Sequence, residues 1–345
     1  MEKEKSVVAG FDIGGAHLKI ARAEAKRLVA AQTFATPIWE GLDCLDAALS
    51  EAAPLYRGAV RLAFTMTGEL SDVFATREEG VRGLIDVIER HFPTGDRLIY
   101  TVSAGFVTRD KARTMPLKVA SANWHATASL VAKLTGEALF VDMGSTTTDI
   151  LALRGNRVAN QGGTDAGRLL TGELVYTGFT RSFPFALAQS APVGGRMTPL
   201  MNEYFAAMAD VHRILGVLNE DDDKHPTVDG KPKTVDGSIS RLAHLLGRDA
   251  ADLPAQEWQQ IASWFSERQL RQVHDAAVLV ATGLPPSVPV VGAGIGHTQI
   301  VRLAERMQRR YADFGDLIPA DDSMRGEARS AGPASAVALL AADAA

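Results

Sequence analysis

Phe11-Asp12-Ile13-Gly14-Gly15-Ala16-His17-Leu18-Lys19 lies near the start of the chain. Phe140-Val141-Asp142-Met143-Gly144-Ser145-Thr146-Thr147-Thr148-Asp149-Ile150 repeats its pattern in the middle. Each stretch is an apolar run ending in Asp, a turn of small residues, and a return to apolar sequence. That pattern predicts strand, tight turn, strand. Glycine lets the backbone turn with positive φ and lets a ligand approach the amides closely. Successive backbone N–H groups in such a turn form an anion-binding nest. Asp12 and Asp142 stand just before the turns, placed to hold a divalent cation directly or through water. Acids in an anion site make physical sense when Mg²⁺ bridges them to phosphate oxygens. Two such hairpins predict two half-sites facing each other across a cleft and gripping a phosphorylated ligand.

The order of elements around the hairpins is itself repeated. Val7–Asp12, Leu18–Glu24 and Leu28–Thr33 read as an antiparallel meander, and Ala138–Asp142, Thr148–Arg154 and Arg157–Gln161 read as a second one. Helical pattern covers residues 41–53, Arg77–His91 and Ser121–Leu134, with Ser121 placed as a helix cap. Val60–Thr65 and Leu98–Thr101 read as further strands. Residues 197–282 depart from the repeat and read mostly as helix. Within them the polar stretch 219–234, with its Asp221-Asp222-Asp223 run, reads as a solvated loop. Val288–Gly292 is a buried strand, followed by a helix from about His297, and Ala334–Ala342 is a terminal helix. The expectation is an α/β protein of two domains with a central cleft. Residues 1–136 form the first domain, and 137–330 form the second, with a helical insertion over 197–282. Residues 331–345 form a helix that packs back on the first domain.

Composition narrows the function classes. The 345 residues are 46% hydrophobic and 22% charged, with a formal net charge of −5. This fits a soluble globular protein and gives no electrostatic case for nucleic acid or an anionic membrane. Cys44 is the single cysteine, so neither an internal disulfide nor a cysteine-based zinc cluster is expected. The charged start Met1-Glu2-Lys3-Glu4-Lys5 lacks the apolar region of a leader peptide, and no apolar run approaches the roughly 18–20 residues of a membrane span. The cytoplasm is the expected location. His125, His212, His225, His244, His274 and His297 show no metal-ligand spacing.

A third element is Val290-Val291-Gly292-Ala293-Gly294-Ile295-Gly296. Small residues at a strand–helix junction permit a flat ring or a phosphate to approach a helix N-terminus. The segment is a poor dinucleotide fingerprint, because no βαβ unit follows it. The two hairpins and this segment, in this order, resemble the actin-like ATPase superfamily of sugar kinases, actin and the large heat-shock chaperones, whose fold is a duplicated ribonuclease H-like unit. In that comparison the hairpins correspond to the phosphate loops and the glycine segment to the adenosine-side loop. Ala16 departs from the Thr or Ser usual in the kinases, which weakens the expectation of ordinary ATP γ-phosphate chemistry.

Further segments point to one branch. Gly163-Thr164-Asp165, Arg168-Leu169-Leu170, Gly172-Glu173-Leu174-Val175-Tyr176-Thr177-Gly178 and Arg181 resemble the hydantoinase A/oxoprolinase family. Thr65-Met66-Thr67-Gly68-Glu69-Leu70 with Asp72, and Ala122-Asn123-Trp124-His125-Ala126, are similar to its short members linked to tetrahydromethanopterin-dependent one-carbon metabolism, the methanofuran-biosynthesis synthases among them. The resemblance implies a transferase that condenses an aminomethylfuran-methyl diphosphate with a tyramine- or tyrosine-glutamate phenol and releases diphosphate. It implies small-molecule substrates and leaves a homodimer open.

The same resemblance assigns residues. Gly14, Gly15, Ala16, His17, Gly144, Ser145, Thr146, Thr147 and Thr148 would hold the phosphates, with Gly292, Gly294 and Gly296 beside them. Mg²⁺ would sit on Asp12 and Asp142. Catalytic roles fall to Asp12, Lys19, Glu69 and Asp149, with Lys19 neutralising leaving-group charge and Glu69 or Asp72 taking the phenol proton. Thr65, Thr67, Asp72, Asn123, Glu173, Tyr176 and Arg181 would meet substrate, Arg181 by pairing with a carboxylate. The plain alternatives are a surface lysine at 19, a solvated turn at Glu69 and Asp72, and a core tryptophan at 124. ATP is the alternative occupant of the loops, in a kinase or an amide-ring hydrolase. A nucleotide-sensing assembly protein is the third reading.

Overall fold

Val7–Ile13 (β1) is an almost unbroken apolar run, and all but its first residue is buried. A strand covered on both faces belongs in the middle of a sheet. In the computed structural model, which describes residues 7–344, β1 pairs antiparallel with β2 (His17–Glu24) and parallel with β4 (Arg61–Met66). β3 (Arg27–Ala35), β5 (Asp96–Thr101) and β6 (Gly105–Thr108) complete a six-stranded sheet ordered β3-β2-β1-β4-β5-β6. The charged stretch Met1–Lys5 and the last residue of the terminal-helix expectation, Ala345, lie outside the described residues.

The second half repeats the plan. β7 (Ala138–Met143) pairs antiparallel with β8 (Thr148–Arg154) and parallel with β13 (Val290–Ala293), which pairs parallel with β14 (Tyr311–Asp313). The path β2-β1-β4-β5 thus recurs as β8-β7-β13-β14 with the same strand directions. This is the duplicated actin-like architecture. The third meander strand is shorter than its sequence predicts: β9 is only Arg157–Val158, and the other end of β8 pairs with β10 (Leu174–Val175). β11 (Ser190–Val193) and β12 (Arg196–Pro199) form a separate hairpin. The helices Met208–Ile214, Val235–Leu245 and Ala255–Val280 pack with it around Trp258 and Phe265.

Two helices cross between the halves. The Gly332–Asp343 helix, apolar on every side, lies on β1, β2 and β4 of the first sheet. Its contact with β1 is so close that a Cβ at Gly10 would lie 2.2 Å from the Ala334 carbonyl oxygen. The Asn123–Thr135 helix precedes residue 136, yet it packs on β7, β8 and β9 as well as on the terminal helix. The helix thus touches elements on both sides of the expected break at 136. One buried cluster, with Trp124, Phe140, Val291 and Val337, runs through both helices and ties the halves together. Among the described residues no helix is long and apolar enough to cross a membrane.

Candidate active site

The two hairpins meet at the cleft with matching geometry. The Gly14 N–H donates to the His17 carbonyl at 2.9 Å, and the Gly144 N–H donates to the Thr147 carbonyl at 3.0 Å. Gly14, Gly15 and Gly144 do not have the positive φ that their turns were expected to need. What Gly14 requires is space: a Cβ there would sit 2.8 Å from the His17 carbonyl oxygen. Register pairs Asp12 with Lys19 across the first hairpin and Asp142 with Asp149 across the second.

These four side chains concentrate charge where water is scarce. Asp12 is 3% exposed and Asp142 is 9% exposed. Burial pushes the Asp12 carboxyl up, partly opposed by Lys19, whose Nζ lies 3.8 Å from Asp12 Oδ2. Burial pushes Asp142 up to about 7, with Lys19 again opposing. Asp149 is also raised by burial and is held by Arg168. Lys19 is therefore an internal charge of the cleft and not a surface lysine. Asp12 Oδ1 is buried without a hydrogen-bond partner. Among the described residues no group of three acids, histidines or cysteines converges as an all-protein metal cage. A pair of carboxylates with one orphaned oxygen suits Mg²⁺, which keeps several waters and completes its shell with substrate phosphates.

A cavity of about 450 Å³ opens from the hairpins. Gly14, Gly15, Ala16, His17 and Lys19 line it from the first hairpin, and Gly144, Ser145, Thr146, Thr147 and Asp149 from the second. Thr67, Asp72, Asn123, Tyr176 and Arg181, all expected to meet substrate, also line it. Asn123 opens its helix, and its Oδ1 accepts from the Trp124 N–H at 2.7 Å. The Arg181 guanidinium lies 5.0 Å over the Trp39 ring, a cation–π contact that joins the two walls. Tyr176 is 71% exposed, so its ring is available to a ligand.

Other predicted site residues lie elsewhere. Glu69 is 1% exposed, neither a solvated turn nor part of the cavity wall, and its Oε1 accepts from the Ser121 hydroxyl at 2.8 Å. Glu173 is 3% exposed, and its carboxylate accepts from the Gln161 and Gly162 N–H groups and the Thr171 hydroxyl, so it braces a loop. Thr148 donates to the Thr177 carbonyl at 2.7 Å, and Thr65 is fully buried, so neither reaches the cavity. Gly292, Gly294 and Gly296 serve packing: added Cβ atoms would strike Tyr311, Asp142 and Met143. Ser121 is not a cap, because Ala122 holds that position and Ser121 adopts φ +50°. Trp124 is core, with Arg168 stacked 4.4 Å over its ring.

The acidic loop is not solvated along its length. Arg213 binds Glu220 and Asp223, and Arg241 binds Asp229 and Asp210, all through charge-assisted hydrogen bonds. Both arginines are buried. So anchored, the loop reaches across to the first hairpin. His225 packs edge-on against His17, with ring centroids 4.7 Å apart, and lies 5.8 Å from Trp39. Asp221, Asp222 and Lys224 line, with His17, Lys19, Ser145 and Ile295, a second small pocket of about 30 Å³. That is room for a water or two.

Trp39, Leu70, Ser121, Asp165 and Arg168 also line the cavity, although none was among the predicted site residues. Asp165 and Arg168 fall inside the family-like segment and carried a signal. Trp39 and Ser121 carried none, since a lone aromatic and a serine before a helix are ordinary in any sequence.

A hydantoinase/oxoprolinase family model matches residues 62–311. The (4-{4-[2-(gamma-L-glutamylamino)ethyl]phenoxymethyl}furan-2-yl)methanamine synthase of Methanocaldococcus jannaschii is 30% identical over 338 residues, 97% of this chain and 98% of its own. The synthase of the same name from Methanococcus vannielii is 35% identical over 124 residues, 36% of this chain and 55% of its own. Among solved structures, a ROK family glucokinase from Streptomyces griseus aligns over 96% of this chain and 99% of its own at 15% identity, with a TM-score of 0.49. The activator of 2-hydroxyisocaproyl-CoA dehydratase from Clostridium difficile aligns over 98% and 95% at 13% identity, with a TM-score of 0.47.

Proposed function

The chain belongs to the hydantoinase/oxoprolinase family, and from that premise we propose that it is an ether-forming transferase of methanofuran biosynthesis. It joins a furan-methyl diphosphate to a tyramine- or tyrosine-glutamate phenol and releases diphosphate. The match along nearly the whole chain to a named phenoxymethyl-furan synthase carries this reading. The cavity supports it, because it spans both hairpins and carries Lys19 and Arg181 beside the backbone amides of the two turns.

The chemistry asks little covalent work of the protein. The furan ring stabilises positive charge on its methylene as the C–O bond to diphosphate breaks. The departing electron pair goes to the diphosphate, and the phenol oxygen forms the new C–O bond. Catalysis is then orientation plus stabilisation of the departing charge. Lys19 and the hairpin amides meet the diphosphate. Asp12 and Asp142 would hold Mg²⁺, which when bound neutralises charge on the leaving group. Trp39 and Tyr176 offer faces to the two rings, and Arg181 pairs with the glutamyl carboxylate. His225 packs on His17 and Trp39 beside the first hairpin, and excluding water there would protect the furan-methyl cation from capture.

Purified protein, furan-methyl diphosphate, Mg²⁺ and the tyramine- or tyrosine-glutamate phenol should release diphosphate and form the ether, seen by mass spectrometry, without ATP. Absence of ether with either phenol sinks this reading. ATP-dependent phosphoryl transfer in its place would favour the kinase.

A further inference from the structure

Ser121 has one hydroxyl hydrogen and two carboxylates within reach: Glu69 Oε1 at 2.8 Å and Asp165 Oδ2 at 3.1 Å. An ionised carboxylate only accepts hydrogen bonds. The three groups therefore have two consistent states. With Glu69 ionised, the hydroxyl hydrogen goes to Glu69. With Glu69 protonated, Glu69 donates to Ser121 Oγ and the hydroxyl hydrogen turns to Asp165. The surroundings decide which acid changes state. Asp165 is already engaged by two guanidinium groups, Arg168 Nη2 at 2.9 Å and Arg77 Nη2 at 3.5 Å. Glu69 is fully enclosed, and its Oε2 has no partner. The Arg77–His91 helix presses on it so closely that a Cβ at Gly80 would lie 2.4 Å from the Glu69 carbonyl oxygen.

Ser121 is held in this position at a cost. Its φ of +50° is a left-handed conformation that costs a β-carbon residue about 1 kcal/mol or more, and such strain concentrates at functional positions. Ser121 lines the cavity while Glu69 does not.

We propose that Ser121 and Glu69 form the path by which the acceptor's proton leaves the cavity, with Asp165 as the positioning residue that holds the hydroxyl between them. This rests on the ether-synthase reading. As the phenol oxygen bonds to the furan methylene and the diphosphate departs with its electron pair, the phenol O–H breaks. Its proton goes to Ser121 Oγ, and the hydrogen that Ser121 carried passes to Glu69 Oε1. After product leaves, the same two steps in reverse return the proton to water. Burial pushes the Glu69 carboxyl up to about 7, with Ser121 and Arg77 lowering it and Asp165 raising it. That is the range in which a base works best near neutral pH. The charged groups facing it are Arg77 from the Arg77–His91 helix and Asp165 with its partner Arg168 from the Asp165–Thr171 helix.

The test compares pH profiles of wild type, Glu69→Gln and Ser121→Ala, each checked first for unchanged circular dichroism and diphosphate binding. Wild-type kcat should rise with pH through a midpoint of about 7. Each variant should lose on the order of 10²-fold in kcat, with KM for the furan diphosphate unchanged and the acidic limb gone. A variant that keeps both its kcat and the limb overturns the relay. If wild type makes no ether at all, the synthase reading has failed, and infrared difference spectra then judge the relay alone. A protonated carboxyl band that titrates at about 7, is absent in Glu69→Gln and moves in Ser121→Ala sustains it. A Glu69 carboxyl that titrates in the ordinary range overturns it.

Discussion

Lys19 and Asp149 stand at the same place in the two halves of the molecule, each paired across its hairpin with the aspartate one residue before the end of the central strand. Duplication gave two equivalent positions, and they carry opposite charge. The first hairpin holds its own cation, while Asp149 in the second takes Arg168 as its counter-ion. A diphosphate lying across both hairpins therefore meets the Lys19 ammonium from the first strand pair and a carboxylate from the second, where Arg168 and Arg181 also line the cavity.

Lys19→Met should lower kcat on the order of 10²-fold, the usual cost of removing one stabiliser of departing charge. Lys19→Arg should recover part of it. Steady-state kinetics with the furan diphosphate decide this, and wild-type turnover in Lys19→Met would take Lys19 out of the leaving group's path.

Asp12→Asn and Asp142→Asn should each raise the Mg²⁺ concentration for half-maximal turnover, roughly tenfold or more. A carboxylate must be ionised to bind a metal, and burial pushes Asp142 up to about 7. Mg²⁺ affinity should accordingly fall as pH drops below that value. A Mg²⁺ requirement that neither variant changes would place the metal elsewhere.

The loop over the first hairpin should loosen in acid. Burial lowers His225 from 6.5 to about 4 and His17 well below its ordinary value. Unfolded imidazoles bind protons from 6.5 downward, whereas the packed ones do not, so this stabilisation is complete above 6.5 and is lost as pH falls toward 4. Hydrogen exchange of residues 219–225, corrected for intrinsic rates, should speed up over that window, and His225→Ala should already exchange fast at pH 7. Protection independent of pH would argue against the histidine contact.

Glu69→Gln should stabilise the fold above neutral pH. The unfolded carboxyl titrates at 4.5 and the folded one at about 7. Between these values the folded state binds more protons, so wild-type stability falls as pH rises. The variant escapes this penalty, which is at most roughly 3 kcal/mol. Urea melts at pH 4 and pH 8 should show the gap only at pH 8.

Gly178→Ala should disturb the second hairpin from outside the cavity. A Cβ there would sit 2.4 Å from the Thr146 amide nitrogen. Phe179 and Arg181 donate to the Gly144 and Ser145 carbonyls, so the strain passes directly to the phosphate loop. A loss of about 1–3 kcal/mol is expected from such overpacking, read by thermal melts, together with a higher KM for the diphosphate substrate.

By itself the sequence determined the repeated strand–turn–strand units, the Arg77–His91 helix, the polar hairpins with Asp12, Lys19, Asp142 and Asp149, and the family. Those features are local: apolar periodicity and turn chemistry act between residues close along the chain. What only the tertiary structure decided is which residues meet from far apart. Glu69 left the cavity because a helix packed over its turn, and Ser121 became its partner although nothing near it in sequence marks that role. The Asp221-Asp222-Asp223 run left solvent in part because the buried Arg213 binds Asp223, while Arg241 anchors the same loop at Asp229. The glycines at 292, 294 and 296 were read as ligand space and serve packing, since a small residue looks the same in sequence whether it makes room for a ligand or for Met143 and Tyr311. Burial, charge pairing and close contact arise between segments that sequence periodicity does not connect, and they exist only once the chain is folded.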